Sequence, residues 1–231
     1  MQRTFLLLFA TALFFSSTVA FSQKNELSFS AGGIFTSDQR TAVVFPCPPG
    51  GPACFNEFAG LFQTDPGVAL EATYARRITR FGPASLYFEL PVIGVPGRDV
   101  QSSIMIAGLG GTGTSPGSSA SAVFFTPSAK VKFLESAPIA PFVTVGGGFA
   151  HSNANFNVLG NLPRGASSTS GALQFGGGAD LNSPIPHLVF RAEARDFYCQ
   201  SGIQPLRVLP AHISPVHLHH VFVGGGMVLK F

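Results

Sequence analysis

The sequence predicts an all-β chain: an eight-stranded antiparallel up-and-down transmembrane β-barrel. Three observations carry this expectation. Residues 221–231 (VFVGGGMVLKF) alternate at period two and stop on an aromatic ring, which fits the closing strand of a membrane barrel. Eight such alternating segments occur, joined by connections that run strictly long, short, long, short. Finally, 45% of residues are hydrophobic and only 11% charged, against about 25% charged in an average soluble domain. Beyond the N-terminal segment nothing is long and apolar enough for a transmembrane helix, so lipid contact along one face of many strands accounts for the deficit.

At the N-terminus Arg3 precedes an almost wholly apolar run over 4–15, and Ala20 and Ser22 set small residues two apart. Residues 1–22 are therefore expected to be a secretory signal peptide, with cleavage after Ala20 as the alternative, and 23–231 a single outer-membrane β-barrel domain. Strands are expected at 26–35, 67–77, 84–92, 123–133, 140–151, 171–181, 187–198 and 219–231, each about the length of a tilted strand crossing a bilayer. The connections 36–66, 93–122, 152–170 and 199–218 are long and rich in Gly, Ser, Pro and Asn, whereas 78–83, 134–139 and 182–186 are short. This wiring expects both termini and the tight turns in the periplasm and four long loops outside. An even strand count lets the first and last strands pair and removes open edges. Pro127 is the awkward residue, since its strand should be fully paired.

Charges recur on every second residue inside apolar strands. Arg191, Glu193 and Arg195 alternate with Leu188, Phe190, Ala192 and Ala194, and Lys130 and Lys132 with Ala129, Val131 and Phe133. Facing lipid, a single midplane Arg would cost about 2–4 kcal/mol. The expectation is a luminal charge network of Glu71, Arg77, Glu89, Lys130, Lys132, Asp180, Arg191, Glu193 and Arg195. In the closing strand Val221, Val223, Met227, Leu229 and Phe231 then face lipid, and Phe222, Gly224, Gly226, Val228 and Lys230 face inward. Glycine triplets at 146–148, 176–178 and 224–226 precede no helix, so they are assigned to wall curvature and crowding, not to a phosphate-binding loop.

The chain resembles the small eight-stranded outer-membrane β-barrel family, the group containing the barrel domain of outer-membrane protein A. The resemblance covers the whole mature chain and rests on the signal, the order of strands and loops, FGGGADL at 175–181, RAEARDFY at 191–198 and the terminal strand. It implies a Gram-negative-type envelope and recognition of the closing strand by the barrel-assembly machinery. Gly226, Leu229 and Phe231 occupy the Gly and two final apolar positions of that assembly signal, while Gly224 stands where a polar residue is usual. The girdles also depart from the family: there is no Trp, and besides Tyr74, Tyr87 and Tyr198 the interface rings must be Phe29, Phe35, Phe133, Phe149, Phe190 and Phe231.

Cys47 and Cys54 bracket a Pro-Pro-Gly-Gly-Pro turn and are the disulfide candidate in an exported protein, leaving Cys199 over. His217 and His219, near His212 and His220, are two apart and would face one ion in an extended segment, but no carboxylate lies close in sequence. His151 and Ser152 suggest a hydrolase pair without an acidic orienter. The expectation is accordingly no enzyme, no metal and no cofactor. The partners expected are outer-membrane lipid and, through the resemblance, the assembly machinery, with no nucleic acid and a monomeric state. The expected function is a structural scaffold displaying four extracellular loops for adhesion or envelope integrity, with 36–66 and its Phe45, Phe55, Phe58 and Phe62 foremost. The alternatives are a lipid-modifying barrel enzyme, a small pore and a soluble lipocalin-like barrel with its charged face outward.

Overall fold

Backbone N–H and C=O groups facing lipid find no water, so a strand-built wall is viable only when both edges of every strand are paired. The computed structural model, which describes residues 24–37, 39–44, 57–106, 112–158, 162–200 and 217–231, meets this condition by closing on itself. Its strands are β1 (Asn25–Thr36), β2 (Gln39–Val44), β3 (Glu57–Thr64), β4 (Gly67–Phe81), β5 (Ala84–Ile106), β6 (Thr112–Phe125), β7 (Ser128–Phe133), β8 (Ile139–Val158), β9 (Leu162–Asn182), β10 (Leu188–Gln200) and β11 (His217–Lys230). The ring runs β1, β4, β5, β6 with β7, β8, β9, β10 and β11, all antiparallel, an eight-stranded barrel. β1 and β11 close it from Glu26 opposite Lys230 to Thr36 opposite His220. Reciprocal bonds between Asn25 and Phe231, of 2.9 and 3.0 Å, finish the seam.

Two features depart from the expected strand map. The fourth wall strand is divided into β6 and β7 at Thr126 and Pro127. Pro127 has no N–H to give the ladder, but its carbonyl accepts the Gly147 amide at 3.1 Å, so the wall stays sealed. Gly148 is required here, because a Cβ on it would stand 2.0 Å from the Phe125 carbonyl oxygen. Secondly, the long connections hold much strand. β2 and β3 form a hairpin within 36–66, while β5, β6, β8 and β9 run well past the expected ends. Among the described residues the wall is therefore tall on the side of β5, β6, β8 and β9 and low on the side of β4, β1, β11 and β10. Residues 1–23, and with them the signal expectation, lie outside the described residues, as do Cys47, Cys54, Phe45, Phe55 and His212.

At the opposite end the connections are tight. Leu134 and His187 adopt left-handed φ of 52° and 69°, and each holds its turn by a backbone bond, Leu134 N to Pro83 O at 2.8 Å and Lys230 N to His187 O at 2.9 Å.

The two faces of the wall differ in kind. Outward stand Phe29, Phe35, Leu70, Phe88, Val143, Val145, Leu173, Phe175, Phe190, Val223, Met227 and Leu229, all roughly half-exposed or more. Inward stand Glu26, Glu71, Glu89, Lys130, Lys132, Asp180, Arg191, Glu193 and Arg195, all buried. A lipocalin-like barrel requires the reverse polarity, so that alternative is overturned. Higher on the tall side the outer face changes character. The outward row Val123, His151, Thr169 is followed by Ser121, Asn153, Ser167 and then by Ser119 and Asn155, while the inner face carries small residues, Ala120, Ala122, Ala150 and Ala154 with Ser152, Ser168 and Ser170. Apolar-out changing to polar-out marks where the wall leaves lipid for water.

Candidate functional site

Inside the barrel, strand alternation delivers two layers. The layer nearer the short turns is ionic. Glu26, at the first inward position of β1, lies 3.0 Å from Lys130 Nζ, 2.5 Å from Lys132 Nζ and 3.3 Å from Arg191 Nη2. Asp180 takes Arg191 at 2.8 Å and Lys132 at 2.6 Å. Glu89 bonds Lys130 at 2.8 Å and lies 3.6 Å from Arg195. Arg195 then reaches Glu193 at 2.8 Å and Glu71 at 3.1 Å. Hydroxyls add further donors: Ser30 donates to Glu193, Thr73 to Glu71, and Ser128 and Thr144 to Glu89. Buried ions cost several kcal/mol each in desolvation and recover it only when paired this closely. The network therefore fills the lumen without adding much net stability.

Sequence reasoning missed Glu26 as a member, although Glu26, Ser28 and Ser30 alternate with Leu27, Phe29 and Ala31 in the same inward register. Arg77, expected among the inner pairs, sits at the short-turn end beside a register shift between Arg77 and Thr79. There it bonds Glu135 of the β7–β8 turn at 3.2 Å. Glu135 also accepts from the Tyr87 phenol and from Arg80 at 2.6 Å. Burial pushes the Glu135 carboxyl up, but the bonds from Tyr87, Arg80 and Ser85 outweigh it and hold the group below the ordinary carboxylate value. Tyr87 thus serves the lumen and not a lipid girdle: its ring lies 4.9 Å from Lys130 Nζ and 5.0 Å from Lys132 Nζ.

The second layer, toward the long loops, is apolar: Ile34, Ile93, Val95, Phe124, Phe197 and Phe222 are buried together with Cys199. The Phe124 and Phe197 rings sit 4.8 Å apart. Cys199 is a free thiol in this packing, not a surface group. Gly226, on the inward face of β11, would place a Cβ 2.0 Å from the Phe29 carbonyl oxygen, so close approach of β1 demands glycine there. Leu229 and Phe231 project outward beside it.

The remaining candidates are dispersed. His151 faces outward and bonds Thr169 at 2.8 Å. Ser152, the next residue on the strand, takes the opposite face, so the two side chains cannot act on one another. His217 and His219 flank Tyr198 on the outer face, with ring distances of 5.1 and 5.0 Å, and His219 bonds Asp196 at 2.7 Å. His220 turns inward to Thr36. Among the described residues no group of His, Cys, Asp and Glu is arranged to hold a metal ion.

A closed antiparallel barrel, apolar outside and charged inside, defines the class: a transmembrane β-barrel. Solved structures similar to this chain are outer-membrane barrels. The outer membrane protein OprG from Pseudomonas aeruginosa is 12% identical with a TM-score of 0.52, covering 91% of this chain and 96% of its own. The outer membrane protease OmpT from Escherichia coli is 9% identical with a TM-score of 0.50, covering 93% and 99%. Neisserial surface protein A is 14% identical with a TM-score of 0.46, covering 91% and 98%. No protein-family model matches the chain, and no curated protein sequence matches it.

Proposed function

We propose that this chain is a non-enzymatic integral protein of a bacterial outer membrane, exported through a cleaved signal and serving as a scaffold that holds four loops at the outer surface. The observation that carries the reading is the filled lumen: ion pairs and then aromatic rings occupy the interior, which leaves the loop-bearing end as the place for interaction. In this reading the short turns lie in the periplasm, and the change of the outer face from apolar to polar at Val123, His151 and Thr169 marks the outer membrane surface. Gly226, Leu229 and Phe231 serve as the assembly signal, and adhesion or envelope integrity is the work the loops perform.

Partitioning tests the proposal. The full chain, expressed with its N-terminal segment, is expected in the outer-membrane fraction, extractable only with detergent. It should show a gel mobility that changes on boiling, the mark of a closed barrel. Recovery as a detergent-free soluble monomer would refute it.

A further inference from the structure

Arg98 stands outside the luminal network. A register shift between Val95 and Arg98 returns this residue to the inner face of β5 above the apolar layer. Its side chain lies across Gly67, where an added Cβ would be 3.2 Å from Arg98 Cδ and 3.8 Å from Ile34 Cγ2. Among the described residues, Arg98 Nε and Nη1 are buried without a hydrogen-bond partner. Among the described residues no carboxylate pairs with it, although every luminal cation below has at least one acid at 3.1 Å or closer. His220 is buried at the same level of the inner face: it pairs with Thr36 on β1, two residues on from Ile34, which pairs with Gly67. The His220 ring bonds Thr36 at 2.8 Å through Nδ1 and packs 5.3 Å from Phe124. Arg98, Gly67, Thr36 and His220 come from β5, β4, β1 and β11, consecutive strands of the ring on and beside its low side.

A buried guanidinium with unsatisfied N–H groups is among the costliest arrangements in a protein unless something supplies acceptors. Here the floor beneath it is hydrocarbon and aromatic, Ile34, Val95, Phe124 and Phe222. We infer that Arg98, with His220 and Thr36, forms a binding site at the loop-side mouth of the barrel for an amphipathic oxyanion, a carboxylate or phosphate monoester borne on a short apolar tail. The oxyanion supplies the acceptors that Arg98 lacks, as guanidinium groups recognise carboxylates and phosphates, and the tail lies on the apolar layer. Arg98 is only half-buried as a residue, so its guanidinium is approached from the mouth.

Thermal unfolding of the full chain in a neutral detergent, followed by the gel shift, provides the test. Hexanoate and hexyl phosphate are the probes, with hexanol and inorganic phosphate as controls lacking charge or tail. Both probes are expected to raise Tm saturably, and each control to need at least tenfold higher concentration. Arg98→Met keeps an apolar stem and removes the unpaired charge. It is expected to raise the basal Tm while abolishing the response to both probes. The site is overturned if neither probe acts on the wild type, if Arg98→Met responds as the wild type does, or if that variant unfolds at a lower basal temperature. A hexanol response equal to that of hexanoate overturns the oxyanion, and an equal inorganic phosphate response overturns the apolar tail.

Discussion

Glu26 touches Lys130, Lys132 and Arg191 at once, so a single carboxylate at the seam end of β1 ties β7 and β10 across the lumen. Removing one partner of a buried ionic cluster leaves the others desolvated and under-compensated, at a cost of about 3–5 kcal/mol. Glu26→Gln keeps the shape but deletes the charge and replaces one acceptor oxygen by an amide donor, so it removes the ion pairs together with a hydrogen bond from Lys130 and Arg191 or from Lys132. It is expected to lower stability by about this amount in urea titrations of the barrel in phospholipid vesicles. The double variant Glu26→Gln with Lys132→Met should recover part of the loss, because it removes the excess positive charge while Asp180 keeps Arg191. A Glu26→Gln variant as stable as the wild type would show that water, not Glu26, solvates the two lysines. At this scale the inward register of Glu71, Glu89 and Arg195 was legible because each is flanked by apolar neighbours at period two. The partner of Arg77 was not, since a bulge and a turn acid fifty-eight residues away leave no local pattern.

The strands were legible where one face meets lipid, because only there does apolar–polar alternation write itself into the sequence. β8 and β9 continue by backbone pairing into 152–158 and 162–170, with Asn153, Asn155, Ser167 and Thr169 outward, and such residues look like loop. Pro127 carried a legible warning, and it falls where the wall strand is interrupted. Depth along one strand therefore decides what a charge costs. Val145 is midway along the apolar row of β8 and is 63% exposed on the outer wall. Asn155 points the same way, two side-chain rows beyond His151. Val145→Lys is expected to cost about 2–4 kcal/mol of folding into phospholipid vesicles. Asn155→Lys is expected to change it by less than about 0.5 kcal/mol, as a solvated surface substitution does. Equal costs at the two positions would place the membrane surface elsewhere on β8.

Across the whole molecule the lumen is closed twice. Eight strands leave an interior just wide enough for side chains, and two different chemistries fill it in series: the ionic layer around Arg195 and the aromatic layer around Phe124 and Phe197. Seals in series make conductance depend on breaking both. The wild-type chain in planar bilayers is expected to give no stable current steps. Arg195→Ala would free Glu71, Glu89 and Glu193 from their shared cation and admit water to the lower layer, yet ions would still meet the buried rings above. Phe124→Ala with Phe197→Ala would open the upper layer, but the salt-bridged layer below would persist. Each lesion alone should therefore stay silent, and only the triple variant should conduct, with a preference for cations set by Glu71 and Glu193, whose ion-pair partner is gone, while Glu89 keeps Lys130. Steps in the wild type would mean that the lumen rearranges in the bilayer. Conductance in Arg195→Ala alone would show that the aromatic layer is no barrier, leaving the ionic network as the single gate between the two sides of the membrane.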